Sequence, residues 1–372
     1  MYIEPFGIEL WMDAWETRCT YNLAETCVES LTIADLLALA GQEPGDLLAL
    51  SQIKMTYGDI RGSARLLHAI SALYERQDPA NIIVTHGTIG ANMLVYKALI
   101  GAGDRVVTVV PTYQQHFAIP ASLGAEVVKL PLRRADDYQL DLDALRDAVT
   151  PGTKMIALTN PNNPTGALMD RSVLEGIAAI AREVGAYILC DEVYRGTDQE
   201  GDGTTASIAD IYEKGISTAG MSKAFALAGL RLGWVAGPED VISAVAHHRD
   251  YDTISVGKLD DHFATLALEN KGRVLARSRQ ITQENLTYLA DWVSQTHGIS
   301  WVQPQSGTVT LLDYDLPLGS EELCTRLMTE TGVLLAPGAV FEVEGTVRIG
   351  FANPKADLQA GLAEVSAFLA RA

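Results

Sequence analysis

The sequence contains little cysteine and little basic charge for a chain of 372 residues. Its four cysteines form no CxxC pair and lie at no zinc-binding spacing from a histidine, so we expect neither a disulfide framework nor a metal site. Lysine and arginine total 28 against 47 acidic residues, which gives a formal net charge of −19. Nucleic acids and anionic membrane surfaces require basic patches, and we therefore expect neither as a partner.

Long apolar runs are also missing. No run approaches the roughly 20 residues of a membrane-spanning helix. The first six residues, MYIEPF, lack the basic and then apolar order of a signal peptide. We therefore predict a cytoplasmic protein. The composition, 48% hydrophobic and 20% charged, is that of an ordinary globular protein, and the length suits two domains.

The sequence does contain a regular alternation of strand and helix patterns. Beyond about residue 46, short β-branched or apolar runs such as 105–110 and 154–159 alternate with helical patterns such as 171–184. This order predicts a mostly parallel sheet covered by helices on both faces, with a ligand beyond the carboxyl ends of the strands. We predict three parts: an N-terminal segment that packs with the small domain (1–45), a large domain (46–285) and a small α+β domain (286–372).

Lys223 stands among small and apolar residues in the stretch TAGMSKAFALAGLRLGW, which covers 218–234. Apolar surroundings disfavour the ammonium form, so such a lysine can lose its proton and attack a carbonyl. Arg231 follows eight positions later in a glycine-spaced turn and can bring its planar donors against a phosphate. Pyridoxal phosphate, an aldehyde that carries a phosphate, would satisfy both residues through a lysine Schiff base. The alternative is a surface lysine beside a buried helix.

Two loops at predicted strand ends could contact such a ligand. The turn GTIGA (87–91) offers backbone N–H groups, a helix N-terminus and the Thr88 hydroxyl to an anion, although most such turns only connect a strand to a helix. The loop NPNNPTG (160–166) contains two Asn-Pro pairs, whose prolines restrict the backbone and fix the direction of the Asn163 amide. Asn163 could donate to a ring oxygen, or the loop could be purely structural.

Asp191 and Tyr194, in the motif DEVYR, follow an apolar strand that should be buried. A lone carboxylate there needs a cationic partner, because burying it unpaired costs several kcal/mol. A protonated pyridine nitrogen would serve, and the alternative partner of Asp191 is a neighbouring arginine. Tyr194 can reach the other side of the same ring.

Tyr113 and Arg348 are the last two candidate site residues that the pattern itself indicates. Tyr113 follows another strand and could lie flat against a planar ligand, although a tyrosine at a strand end more often packs against other residues. Arg348 lies in an apolar strand, where a charge usually has an anionic partner. That partner is either a substrate carboxylate or a structural Asp or Glu.

Together the motifs GTxGA, PxY, NPNNPTG, DEVYR, SKxxxxxGxRxGW and a late RIGF resemble those of the class I/II aminotransferase family, the fold-type I pyridoxal phosphate enzymes. The motifs extend over nearly the whole chain. The resemblance implies an α/β fold, in which a large domain has a mostly parallel seven-stranded sheet between helices and a smaller domain is α+β. It also implies pyridoxal 5'-phosphate as cofactor, with an amino acid and a 2-oxo acid as substrates.

The resemblance implies a role for each candidate residue. Lys223 would carry the cofactor as a Schiff base, with Asp191 on the ring nitrogen and Tyr194 on the ring oxygen, and these three are the predicted catalytic residues. The resemblance also implies that Tyr113 stacks on the cofactor ring and that Asn163 is the second donor to the ring oxygen. Four residues would bind the phosphate: Thr88, Ile89, Ser222 and Arg231.

Substrate contacts and assembly are implied as well. Arg348, with help from Asn163, would bind the substrate α-carboxylate. Ala24 occupies the place of a segment that lies near the substrate in relatives, and we include it among the substrate-binding residues. Tyr57 is similar to the tyrosine that reaches the phosphate of the neighbouring subunit. A homodimer with shared active sites is therefore implied.

Two departures from the family pattern concern the substrate. The segment NLAET (22–26) replaces a glycine-rich start, and Asp260-Asp261 stand where relatives often have a glutamine. These aspartates join three N-terminal acids in a predicted acidic rim: Glu9, Asp13 and Glu16. An acidic rim would favour a cationic side chain, such as that of arginine or ornithine. The alternative is that the acids only belong to a strongly negative surface.

Transamination is the leading hypothesis for the reaction, with Lys223 moving the proton from the substrate Cα. The same fold also serves pyridoxal phosphate-dependent arginine oxidases, desaturases, capreomycidine synthase-like cyclases and other lyases. Hydroxylating relatives tend to use an N-terminal histidine, and none precedes His68 here. A third hypothesis is a non-catalytic regulator, but such proteins usually carry a DNA-binding domain, for which this chain is too short and too acidic.

Overall fold

The structure is a computed structural model that describes residues 2–371. Its α-helices, numbered in chain order, are Gly7–Trp15 (α1), Ile33–Leu39 (α2), Ala64–Ser71 (α3), Gly87–Leu99 (α4), Gln115–Ser122 (α5), Leu142–Ala148 (α6), Arg171–Val184 (α7), Ile208–Ile211 (α8), Glu239–Arg249 (α9), Lys258–Glu269 (α10), Lys271–Gln295 (α11), Ser320–Thr331 (α12) and Lys355–Leu369 (α13). Its β-strands are Tyr21–Asn22 (β1), Ile82–His86 (β2), Arg105–Val110 (β3), Glu126–Pro131 (β4), Thr153–Thr159 (β5), Tyr187–Asp191 (β6), Gly215–Gly220 (β7), Leu232–Ala236 (β8), Ile299–Trp301 (β9), Val309–Tyr314 (β10), Val333–Leu334 (β11), Ala336–Pro337 (β12) and Thr346–Gly350 (β13).

Seven strands form the larger sheet, in the order β2-β8-β7-β6-β5-β3-β4. The pairs from β7 to β4 are parallel, whereas β8 is antiparallel to both of its neighbours. Alternate residues of β5 face opposite sides. Ile156 and Leu158 join an apolar cluster with α7, and Met155 and Ala157 join another with α4. Apolar residues on both faces of the strand suit a sheet covered by helices on both sides, and the predicted fold class is confirmed.

The direction of β8 brings two parts of one motif together. The parallel strands end at one edge of the sheet, and β8, which runs the opposite way, begins at that edge. Ser222 and Lys223 follow the end of β7, while Arg231 precedes the start of β8. Asp191 ends β6 at the same edge. The predicted lysine, arginine and aspartate therefore meet where a ligand is expected in such sheets.

A smaller antiparallel sheet, in the order β12-β13-β10-β9, forms the expected α+β part with α12 and α13. The N-terminal segment packs against it, because β1 pairs in parallel with β11 and Trp11 of α1 is buried in its apolar cluster. The indole N–H of Trp11 donates to the carbonyl of Leu335 at 2.9 Å. The helix α11 runs without a break across residue 285, and the domain limits at 45 and 285 stay predictions.

Local signals in the sequence mark the ends of some helices, and α7 has one at each end. In α7 the Asp170 carboxylate accepts from the backbone N–H of Val173 at 2.9 Å, and Gly185 ends the helix with φ 71°. One boundary differs from expectation, since the predicted turn 87–91 is the first turn of α4, which begins at Gly87 with φ 65°. None of the helices within residues 2–371 has both the length and the apolar character that crossing a membrane requires.

Candidate active site

A cavity of about 300 Å³ lies at the carboxyl edge of the larger sheet, between that sheet and α1. It is lined by eleven of the twelve residues that the sequence proposed as site residues: Ala24, Thr88, Ile89, Tyr113, Asn163, Asp191, Tyr194, Ser222, Lys223, Arg231 and Arg348. The twelfth, Tyr57, does not line the cavity and is 75% exposed. The elements that contribute these residues come from the N-terminal, central and C-terminal parts of the chain.

Lys223 is half-buried and faces the N-terminal segment. Its Nζ donates to the hydroxyl of Thr26 at 2.5 Å and to the thiol of Cys27 at 3.4 Å. The alternative of a surface lysine is therefore wrong. Neither Thr26 nor Cys27 was among the predicted site residues, because the sequence does not reveal that residues 24–27 pass over the end of β7.

The pKa of Lys223 is raised, whereas the apolar neighbours in the sequence predicted a lowered one. Burial by itself lowers the pKa of Lys223, but Cys27, Tyr194 and Glu25 outweigh burial and raise the pKa above its ordinary value. Burial raises the pKa of Cys27 to about 11 and also raises the pKa of Tyr194, so Glu25 is the charged neighbour near neutral pH. The lowered pKa that the apolar neighbours of Lys223 suggested is wrong, since the effect of Glu25 was not foreseen.

Asp191 is 4% exposed, accepts two hydrogen bonds and lies near an imidazole. Its Oδ2 accepts from Asn92 at 2.8 Å, its Oδ1 accepts from the backbone N–H of Val193 at 3.1 Å, and the imidazole Nε2 of His116 lies 3.8 Å from Oδ2. No arginine pairs with Asp191 among residues 2–371, so the alternative arginine partner is wrong. Asn92 and His116 were missed, although His116 stands only three residues after Tyr113 on a strand-following helix.

An anion site forms where α4 begins. The first N–H groups of a helix have no acceptor within it, and Thr88 and Ile89 lie in that first turn. Arg231 donates from Nη1 to the Ser222 hydroxyl at 3.2 Å, which places a guanidinium beside the same turn. Glycine at position 220 leaves space for the Thr88 side chain, because a Cβ there would lie 2.6 Å from the Thr88 hydroxyl. Arg231 itself adopts φ 46°, a left-handed conformation that costs a non-glycine residue free energy.

Arg348 extends from β13 into the cavity and is 2% exposed. Its Nη1 donates to Oδ1 of Asn163 at 3.2 Å and its Nη2 donates to the carbonyl of Ala24 at 3.0 Å. Neither contact involves an acidic side chain, so the structural Asp or Glu considered as partner is wrong for the described residues. By occupying Oδ1 of Asn163, Arg348 leaves the Nδ2 of that amide to donate elsewhere.

Tyr113 and the acidic rim lie on the N-terminal side of the cavity. The Tyr113 hydroxyl donates to Glu9 at 2.7 Å, and its ring centroid lies 4.8 Å from that of Phe6. Glu9 and Glu16 line the cavity, as does Glu25, whereas Asp13 does not. Placing Asp260 and Asp261 in the rim is wrong for the cavity of one chain, since neither residue lines it. Asp261 instead accepts from Ser63, just before α3, at 2.9 Å from the backbone nitrogen and 2.6 Å from the hydroxyl oxygen.

The residues present fit pyridoxal phosphate. Two buried polar atoms of cavity-lining residues have no partner among the described residues: the Thr88 hydroxyl and Nε of Arg348. Buried polar groups are normally hydrogen-bonded, so such atoms mark places where a ligand completes the arrangement. The Thr88 hydroxyl suits a phosphate, the held carboxylate of Asp191 suits a protonated ring nitrogen, and Lys223 suits an aldehyde.

Comparison with known proteins agrees with this arrangement. The family model described as aminotransferase class I and II matches residues 31–365. The chain belongs to the aminotransferase class I and II family. The family and its fold depend on pyridoxal phosphate, so pyridoxal phosphate is the cofactor of this aminotransferase-family protein.

Three relatives show the range of the family. A pyridoxal phosphate-dependent aminotransferase from Streptococcus suis is 41% identical with a TM-score of 0.97, over 100% of this chain and 99% of that one. The pyridoxal phosphate-dependent cyclase OrfR is 26% identical with a TM-score of 0.92, over 100% and 98%. Capreomycidine synthase from Streptomyces vinaceus is 28% identical over 96% of this chain and 92% of its own.

Proposed function

We propose that the protein is an aminotransferase that moves an amino group from an L-amino acid to a 2-oxo acid. The observation that carries the proposal is the arrangement of Lys223, Asp191 and Arg348 around one cavity. Similarity to the Streptococcus suis aminotransferase over the whole chain supports it. When bound, the cofactor supplies an electron sink for the negative charge that develops at the substrate Cα.

Arg348, Lys223 and Asp191 each have a separate role in the proposed reaction. Arg348 binds the substrate α-carboxylate, for which its unpartnered Nε is available, and Asn163 orients it. Lys223 Nζ takes the proton from Cα, and because nearby Glu25 favours protonation of that nitrogen, the free amine is a stronger base. Asp191, held in place by donors from Asn92 and Val193, would hold a proton on the ring nitrogen.

A second candidate is an oxidase, desaturase, cyclase or other lyase on the same cofactor. Similarity to capreomycidine synthase and to the cyclase OrfR favours it. Incubation of the loaded protein with arginine in air, with and without a 2-oxo acid, separates the two. Formation of a new amino acid that strictly requires the 2-oxo acid supports transamination. Oxygen uptake without a 2-oxo acid would overturn it in favour of an oxidase, and a cyclic or eliminated product without either would favour a cyclase or lyase.

We further propose a homodimer in which Tyr57 reaches the phosphate site of the neighbouring subunit. The 75% exposure of Tyr57 in one chain, together with its absence from the cavity of that chain, supports a role across a subunit boundary. The cytoplasmic location expected from the sequence stays a prediction.

A further inference from the structure

One side of the cavity is formed by α1, which contributes both apolar and acidic side chains. Ile8, Met12 and Glu16 are spaced by four residues, so they follow one another along the same face of the helix, and Glu9 lies beside them. All four line the cavity. Asp13 lies on the same helix but does not line the cavity. The helix thus presents two carboxylates at the mouth of the cavity, next to an apolar strip.

These carboxylates have no basic partner. Within residues 2–371 neither Glu9 nor Glu16 forms an ion pair, and the same holds for Glu25 deeper in the cavity. Their hydrogen bonds are few and each uses one oxygen: Glu9 accepts from the Tyr113 hydroxyl, Glu16 accepts from Asn22 at 3.4 Å, and Glu25 accepts from the backbone of Thr26 and Cys27. Acceptor capacity therefore remains at the mouth of the cavity.

A buried donor in the same cavity points independently to a charged ligand. Arg348 is 2% exposed, lines the cavity and keeps Nε without a partner. Its other donors contact a neutral amide and a carbonyl, so no acidic side chain neutralises it by hydrogen bonding. The cavity thus has a guanidinium that suits an α-carboxylate and, on the side of α1, carboxylates that suit a positive charge.

Crowding of the acids supports this interpretation. The pKa of Glu16 is raised by burial and then by the charges of Glu25, Glu9 and Asp13, with Lys223 the opposing influence. Like charges held together destabilise one another, and a cation placed between them removes that cost.

We propose that Glu9 and Glu16 form a subsite for the positively charged end of the substrate side chain, so that the amino donor carries a guanidinium or ammonium group. This inference rests on the proposed function, because it requires an amino acid whose carboxylate is bound by Arg348. The apolar strip of Ile8 and Met12 contacts the methylene groups of the side chain. Arginine and ornithine have this chemistry, and citrulline, which has nearly the shape of arginine without its charge, does not.

The test compares arginine with citrulline. We expect kcat/KM for arginine to exceed that for citrulline by about 10- to 100-fold, the range for a hydrogen bond to a charged group. Glu16→Gln should lower that ratio about tenfold, since one carboxylate is lost. Asp13→Asn removes the same charge from the same helix outside the cavity and should change the ratio much less than Glu16→Gln does. Glu9→Gln is a second test that also changes the contact to Tyr113.

A binding measurement separates failure of the subsite from failure of the proposed function. Titration calorimetry of the Lys223→Ala protein with arginine and with citrulline reports preference without turnover. Tighter binding of arginine, lost in Glu16→Gln, supports the subsite even if no amino acid is transaminated. Equal binding of the two, or an equal effect of Asp13→Asn and Glu16→Gln, would mean that the acids are only part of a negative surface, and the subsite would be abandoned although transamination of neutral amino acids could stand.

Discussion

Asn92 donates from Nδ2 to the Oδ2 of Asp191 at 2.8 Å, and its own Oδ1 accepts from the hydroxyl of Thr218 at 2.6 Å. Asn92 lies on α4 one turn after Thr88, whose buried hydroxyl has no partner among the described residues. One helix therefore fixes both the carboxylate expected to meet the ring nitrogen and the turn expected to bind the phosphate. The distance between the two ends of the cofactor site is set by a rigid element.

Replacement of Asp191 should lower kcat more than replacement of Asn92, which donates a hydrogen bond to it. Asp191→Asn removes the charge that stabilises a protonated ring nitrogen, and we expect kcat to fall by about 10²- to 10³-fold. Asn92→Ala removes one hydrogen bond to a charged group, and the expected loss is about tenfold. Steady-state kinetics at saturating cofactor measure both. Full activity of Asp191→Asn would contradict the assignment.

Lys223→Ala should abolish turnover and the visible absorbance of the bound cofactor, because no other side chain at the cavity offers an amine. The measurement is an absorbance spectrum after removal of unbound cofactor, together with an activity assay. Lys97→Ala, which changes an exposed lysine of α4, is the matched control and should retain both signals. Turnover by the Lys223→Ala protein would rule out Lys223 as the catalytic base.

Arg231→Gly tests the phosphate ligand without straining the backbone. Glycine adopts the φ of 46° at this position readily, so the free energy of unfolding should stay the same or rise by up to about 1 kcal/mol. Affinity for pyridoxal phosphate should fall about 10- to 100-fold, since a charge-assisted contact is lost. Pyridoxal, which lacks the phosphate, serves as control ligand and should bind wild type and variant equally. A loss shared by both ligands would contradict a phosphate role.

Mixing two inactive proteins tests the contribution of Tyr57 across subunits. Tyr57→Ala and Lys223→Ala dimers should each be weakly active or inactive alone. After subunit exchange at equal amounts, half of the dimers are mixed and each has one complete site, so activity should recover to about a quarter of wild type. Gel filtration confirms the dimer in every sample. If Tyr57 served its own chain, the mixture would recover no activity.

Asp198 should make stability depend on pH. Burial raises the pKa of Asp198 from 3.8 to about 6, while Ser306 donates to it at 2.6 Å. Because the folded pKa exceeds the unfolded one, the protonated form contributes stability that is complete below pH 4 and is lost as the pH rises towards 6, by up to about 3 kcal/mol. Denaturant unfolding between pH 4 and 7 should show this fall in wild type and not in Asp198→Asn. Asp202→Asn, on the same loop and exposed, should keep most of this fall, because its charge is the smallest of the influences on the pKa of Asp198 and burial is the largest.

The strand-end residues could be predicted because their signal is local. Asp191 follows an apolar run that can only be a buried strand, and Arg231 and Lys223 share one short motif. Contacts made by residues 24–27 could not be predicted, since they depend on β1 pairing in parallel with β11, more than 300 positions later in the chain. That pairing carries Glu25 to the side of Lys223, which is why the predicted direction of the lysine pKa was wrong.

Different residues of α1 line the cavity and hold the helix in place. Its inward residues line the cavity, Glu9 accepts from the Tyr113 hydroxyl, and Trp11 anchors the helix to the carbonyl of Leu335. None of the predicted cofactor contacts belongs to α1. Residues 7–16 could therefore be exchanged as one segment, with Trp11 and an acceptor for the Tyr113 hydroxyl retained, to change the amino acid that the cavity accepts.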